Sequence, residues 1–238
     1  VNRIIPFLIV ALLALPSISR ADSFGGGGFY LGLNILDMSE LNNALGSAGY
    51  SDFKDNNLFF GGGGYGLVFD HLILGGSGGA IYYQEVATAG VSATLRGGYG
   101  VFNFGYSLFR SSRYHIFPYG GMGGGGLQLD LIPDAGEIDF GDVIKDPKKV
   151  SVLTRMGICL DAGFEADFLI PMGEDKTGFG GFMIGVRAGY LYFPTNTSWK
   201  LADYKVPGGP DTWLTGPYVH FVIGGFGGSG PSEERVEF

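Results

Sequence analysis

From Val152 to Ile170 the chain alternates: Val152, Met156, Ile158, Leu160, Ala162, Phe164, Ala166, Phe168 and Ile170 share one parity, with Thr154 the polar exception. The opposite parity carries Arg155, Asp161, Glu165 and Asp167 with Gly157 and Gly163. A period of two over that length predicts a strand with an apolar face and a polar one. The same reading, with turn residues as boundaries, predicts eight strands: 27–36, 57–69, 72–86, 91–108, 114–131, 152–170, 179–193 and 213–226. No convincing amphipathic helix exceeds two turns.

Alternation assigns faces in the second half most clearly. In 179–193, Phe182, Ile184, Val186, Ala188, Tyr190 and Tyr192 oppose Gly181, Met183, Gly185, Arg187 and Gly189. In 114–131, Phe117, Tyr119, Leu127, Leu129 and Leu131 oppose Gly120, Met122, Gly124, Gly126, Gln128 and Asp130. In 91–108, Val91, Ala93, Leu95, Tyr99 and Val101 oppose Ser92, Thr94, Arg96, Gly98 and Gly100. The faces of 57–86 cannot be assigned from the pattern.

Short connections at 69–71, 110–113 and 172–178 alternate with long polar ones at 37–56, 132–149 and 194–211; the connection at 87–90 on the long-loop side is short. Short turns on one rim and long loops on the other suit a transmembrane barrel. The expected fold is all-β, an eight-stranded antiparallel up-and-down transmembrane β-barrel. Its aromatic and aliphatic face meets lipid, and glycine with sparse charge fills a narrow lumen, which at eight strands leaves room only for side chains. Closure removes unpaired edges, costly in hydrocarbon.

On that frame Arg96, Arg155, Asp161, Glu165, Asp167 and Arg187 point inward as a structural charge network, since buried charge needs a partner. A turn near 174–175 sets Asp161 opposite Arg187 or one step diagonal to it. Arg96 falls near Gly124 or Gly126. Tyr190, Tyr192, Trp199, Trp213 and Tyr218 are expected in an interfacial aromatic girdle.

Composition sharpens the picture. Asn2 and Arg3 precede the apolar run 4–15 and then Ser19-Arg20-Ala21, the parts of a secretory signal cleaved after Ala21. The expected organisation is a signal at 1–21, a barrel at 22–228 and a flexible periplasmic tail at 229–238. Without 1–21 the chain has 13 basic residues (15 − 2) against 23 acidic ones, a net charge of −10 that argues against nucleic acid. A single cysteine, Cys159, excludes an internal disulfide framework and reads as a packed small residue. Glycine makes up 45 of 238 residues and lies inside apolar strands rather than in linkers.

Other signals have plain readings. "GGGGYG" (61–66) matches a phosphate-loop pattern only formally, because no helix follows it. Asp130, Asp134, Glu137, Asp139, Asp142 and Asp146 lack calcium-loop spacing and read as a solvated loop, with weak divalent binding at a lipopolysaccharide surface as the alternative. His115, with Ser111 and Ser112 nearby, is a candidate for lipid-hydrolase chemistry, but strand ends commonly carry such residues. His71 is placed at the same short-turn rim, and His220 in the last strand.

With its signal, alternating strands and asymmetric rims, together with "VRAGYLYFP" (186–194) and "LTGPYVHFVIGGF" (214–226), the chain resembles the small outer-membrane barrels of the OmpA/OmpX/OmpW type over about residues 25–228. Such barrels end on an aromatic residue read during assembly; here Phe226 and Phe238 are the two alternatives. The resemblance implies a bacterial outer-membrane location and a monomer contacting outer-membrane lipids and lipopolysaccharide, with no cofactor and no metal. The leading function is non-enzymatic: long loops displayed for envelope integrity, adhesion or surface interaction, with 37–56, 132–149 and 194–211 open to an extracellular ligand. The alternatives are a narrow channel or carrier of a small apolar molecule, a lipid-modifying enzyme, and a secreted soluble glycine-rich β-protein.

Overall fold

The computed structural model describes residues 23–69, 71–88, 90–133, 150–174 and 178–229. The expected signal and all but Ser229 of the expected tail lie outside these residues, as do Asp134, Glu137, Asp139, Asp142 and Asp146. The strands are β1 (Ser23–Ile35), β2 (Asn56–Val68), β3 (Leu72–Thr88), β4 (Val91–Tyr106), β5 (Phe109–Arg110), β6 (Tyr114–Pro133), β7 (Ser151–Glu174), β8 (Phe179–Tyr192), β9 (Trp199–Leu201), β10 (Tyr204–Val206) and β11 (Gly216–Ser229). The helix α1 spans Ser39–Gly46.

Hydrogen bonding runs β1-β2-β3-β4-β6-β7-β8-β11 and returns from β11 to β1, so eight antiparallel strands form a closed ring. The closing seam extends from Ser23↔Ser229 to Asn34↔Tyr218, and the two serine hydroxyls meet at 2.8 Å. This is an up-and-down β-barrel. β9 and β10 form a small hairpin laid on the long-loop end of β7, and β5 pairs with β6 at the other end.

Alternation holds around the ring. Phe29, Phe104, Ile158, Phe164, Ile184 and Phe221 point outward, each about half exposed (45–61%). Phe24, Tyr30, Phe59, Leu95, Leu127 and Val222 point inward and are buried. Two faces assigned from the pattern are reversed. Ala93, Leu95, Val101, Phe117, Tyr119, Leu127 and Leu129 are buried inside, while Met122 and Arg96 face outward. The lumen is therefore packed largely with apolar and aromatic groups rather than lined by glycine and charge.

Glycine creates the space those rings need. A Cβ on Gly189 would sit 2.7 Å from the Tyr218 hydroxyl, and one on Gly26 would lie 3.1 Å from that of Tyr65. Missing side chains on the wall thus let large rings lie flat against it.

The long-loop mouth is plugged by its own connections. Leu36, Met38, Leu41 and Phe53 from the first loop and Leu214 from the last are buried with the upper core. Asn42 on α1 locks the first loop: its amide donates to the Phe53 carbonyl (2.9 Å), and its carbonyl accepts from the Phe53 N–H (2.8 Å). The helix turns Leu41 and Leu45 toward this core, so a short amphipathic element becomes a stopper.

Candidate functional site

The chemistry-bearing side chains meet inside the ring at mid-height. Arg187 on β8 pairs in register with Glu165 on β7, and its guanidinium donates to Glu165 Oε2 (3.2 Å) and to Asp161 Oδ2 (3.1 Å). All three are buried. The register places Asp161 opposite Leu191, not opposite Arg187 or one step from it. β7 stays paired as far as Glu174, opposite Phe179, with a register shift between Pro171 and Gly173, so Glu165 is the directly facing acid and Asp161 is reached along the strand.

Tyrosines complete the coordination. The Tyr218 hydroxyl donates to Asp161 Oδ1 (2.6 Å) and accepts from the Tyr119 hydroxyl, while the guanidinium carbon stands 3.8 Å from the centroid of the Tyr119 ring. Charge-assisted bonds and a ring face replace the water the ion has lost. Across from Arg187 in the β8–β11 register, His220 is stacked between Phe59 (4.4 Å) and Tyr218 (4.6 Å), and its Nε2 donates to Asn34 Oδ1 (2.8 Å).

A second relay lies nearer the short-turn end. Tyr65 donates its hydroxyl proton to Asp167 Oδ2 (3.0 Å), and its oxygen accepts from His115 Nδ1 (3.0 Å). That order of donors leaves His115 Nε2 to accept from the Ser107 hydroxyl at 3.0 Å. The serine–histidine contact has the reach of a nucleophile and its base. Ser107 is only 5% exposed within a closed ring, however, so the relay ties β2, β6 and β7 to the end of β4 without presenting a nucleophile. Ser111 makes a turn instead, accepting from the Arg113 and Tyr114 N–H groups.

Arg155 does not join the central cluster. It reaches up into the last loop, donating to Asp211 Oδ1 (2.6 Å) and to the carbonyls of Thr197 (2.7 Å), Pro210 (3.0 Å) and Thr212 (3.3 Å). Its guanidinium carbon also lies 4.1 Å from the Trp213 ring centroid. One buried cation thus pins residues 197–213 over the mouth, and the Asp211 N–H donates to Glu40 Oε2 (2.6 Å), joining the last loop to α1. Between these loops lies a cleft of about 480 Å³ bordered by Asp37, Glu40, Tyr192, Thr195, Asp211 and Trp213. The Ser39 hydroxyl and N–H, both bonded to Asp37, hold that carboxyl below its usual range.

The six charges read from the sequence therefore separate. Asp161, Glu165 and Arg187 are in contact, Asp167 belongs to the tyrosine–histidine relay, and Arg155 clamps a loop. Arg96 faces outward with its side chain 58% exposed, because the inward parity of β4 is the apolar one. The aromatic set divides too. Tyr190 and Tyr192 stand on the outer wall, whereas Tyr218, Trp199 and Trp213 are buried. Tyr218 has inward parity, and the last loop folds back over the mouth, taking both tryptophans with it. Tyr65, Asn34 and Asp211 carry no signal in the sequence, and Tyr119 reads there as lipid-facing; their polar tips on otherwise apolar or loop segments gain meaning only once the register is known. Cys159 is buried and free.

No family model matches the chain, and no curated protein does. Solved structures do. The fold is similar to that of OprG, an outer membrane protein of Pseudomonas aeruginosa, at 12% identity and a TM-score of 0.37, covering 90% of this chain and 97% of that one. It is also similar to that of Ail, the attachment invasion locus protein of Yersinia pestis, at 12% identity and a TM-score of 0.42, covering 89% of this chain and 99% of the other. Ail in complex with the heparin analogue sucrose octasulfate gives 11% identity and a TM-score of 0.40, covering 88% and 98%.

Proposed function

We propose that the chain is a non-enzymatic barrel of the bacterial outer membrane, a rigid wall that spans the lipid and holds folded loops on the cell exterior. One observation carries this reading: a continuous apolar belt covers the outside of a ring that has no open edge. In water the belt would be costly at roughly 25 cal/mol per Å² of apolar surface. In hydrocarbon the same belt is favourable, and the ring satisfies its own backbone. Tyr106 and Tyr114 project near the short-turn rim and Tyr190 and Tyr192 near the long-loop rim, where aromatic girdles sit.

The plugged mouth and packed lumen support a display role over transport. Side chains of Leu36, Met38, Leu41, Phe53 and Leu214 occupy the space an ion path would need. The first and last loops, clamped by Asn42, Arg155 and the Asp211–Glu40 bond, form a preorganised surface suited to contact with envelope or extracellular partners.

The test joins fractionation to conductance. The chain should sediment with outer membranes, migrate differently in unboiled and boiled gel samples, and give no conductance steps in planar bilayers. Recovery as a detergent-free soluble monomer would overturn the membrane reading, and steady ion conductance would overturn the closed lumen.

A further inference from the structure

The outer wall of β3 and β4 carries a feature used by neither the lumen nor the clamped loops. β3 bulges between Ile81 and Gln84: Ile81 faces Gly97 and Gln84 faces Leu95, so Tyr82 and Tyr83 together stand against the single residue Arg96. Two residues opposing one is how a bulge re-aims side chains. Both tyrosines are consequently turned outward, 53% and 46% exposed, beside an arginine side chain that is 58% exposed.

The surroundings are asymmetric. Toward the short-turn end the Tyr82 ring contacts Phe60 (centroids 6.1 Å), and Phe60 contacts Phe29 (6.4 Å), an aromatic ladder on the apolar belt. Toward the long-loop end the wall becomes polar. Lys54, exposed on the first loop, bonds its N–H and carbonyl to the Gln84 amide at 2.8 Å each, and that amide faces the mouth, where it also donates to Asn57 Oδ1 (2.6 Å). Acids are near as well: Asp130, whose Oδ2 is 3.8 Å from Arg96 and whose Oδ1 accepts from Gln128, the exposed Glu85, and Asp52 and Asp55, exposed on either side of Lys54 in the chain. The 3.8 Å contact is too long for a hydrogen bond, so among the described residues the guanidinium fork has no hydrogen-bonded partner.

We propose that this strip binds the phosphate of an acyl lipid in the leaflet on the long-loop side. Arg96 takes the phosphate through its planar fork, the Tyr82 and Tyr83 hydroxyls lie at headgroup level, and the ladder Tyr82–Phe60–Phe29 carries an acyl chain. An amphiphile fits because Arg96 stands beside Tyr82, at the head of the aromatic track; a soluble anion would have no use for the ladder. The assignment rests on the outer-membrane reading above, and it explains why an acidic chain directs an arginine outward where the belt ends.

The purified full chain in detergent is titrated with diphosphoryl lipid A, phosphatidylethanolamine, a non-phosphorylated glycolipid and inorganic phosphate, following bound lipid by native mass spectrometry. Lipid A is expected to bind best, and Arg96→Gln to weaken it by about tenfold. Arg96→Lys should lose part of that, Tyr82→Ala should weaken lipid A but not phosphate, and Asp130→Asn should tighten binding. Equal binding of lipid A to wild type and Arg96→Gln, or equal binding of the non-phosphorylated glycolipid, overturns the proposal. So does inorganic phosphate binding as well as lipid A. A phosphatidylethanolamine preference keeps the phosphate site and reassigns the lipid. The unboiled gel shift of each variant reports folding separately: if the wild-type chain shows no shift and no membrane partition, the membrane reading has failed, whereas a shifted barrel without Arg96 dependence fails the lipid site alone.

Discussion

Replacing Arg187 by methionine is expected to destabilise the barrel by about 3–5 kcal/mol, because the change leaves two buried carboxylates without their cation. Methionine keeps most of the stem volume, so the effect isolates the charge. The guanidinium bonds Glu165 and Asp161 together, both buried, and stands against Tyr119. Glu165 Oε1 has no hydrogen-bond partner among the described residues, so Glu165 depends most on the guanidinium, while Asp161 keeps its bond from Tyr218. Urea titration of folding into lipid vesicles would measure the loss. Adding Glu165→Gln and Asp161→Asn to the methionine variant should then restore a large part of it. A coupling of about 0.5–3 kcal/mol is the expected signature of contact, and simple additivity would remove the network from the account.

The second large effect lies on the opposite face of the same strand. Ile184, 45% exposed on the outer wall, should cost about 2–4 kcal/mol when changed to arginine, provided that wall meets acyl chains near the bilayer middle. The same substitution on a water-facing surface would change stability by no more than about 0.5 kcal/mol. Comparing Ile184→Arg with Tyr204→Arg, at a 79% exposed tip of the β9–β10 hairpin, gives an internal control. Equal and small effects at both would mean that the belt faces water.

The ring of eight strands was legible because alternation and turn chemistry recur at every strand. Which face looks inward was legible only where charge marked it. Asp161, Glu165, Asp167 and Arg187 label the inner parity of β7 and β8, and those faces follow. In β4 and β6 the cue inverts: the inner parity holds Ala93, Leu95, Leu127 and Leu129, packed under the loop plug, while glycines and Met122 face out. A period of two defines two faces but not their environments, since lipid and a plugged lumen are both apolar.

Other features depended on long-range structure. The bulges at Ile81/Gln84 and Pro171/Gly173 each shift a register by local backbone geometry that residue type does not announce. Trp199 and Trp213 look like girdle residues until the last loop is seen to fold over the mouth, where Trp213 stacks on Phe193 at 5.2 Å and shelters Arg155. Likewise His115 finds Ser107 rather than its sequence neighbours Ser111 and Ser112, because inward parity selects the partner.

The most direct measurement places a spin label at Ile184 and, separately, at Met183, in a Cys159→Ala background, with the barrel reconstituted in bilayers. Collision rates with oxygen, which concentrates in hydrocarbon, are compared with those of a water-soluble nickel chelate. A label at 184 should collide often with oxygen and rarely with nickel, while one at 183 should be shielded from both. Free access of nickel to position 184 would contradict a lipid-facing wall, and the barrel's place in a membrane with it.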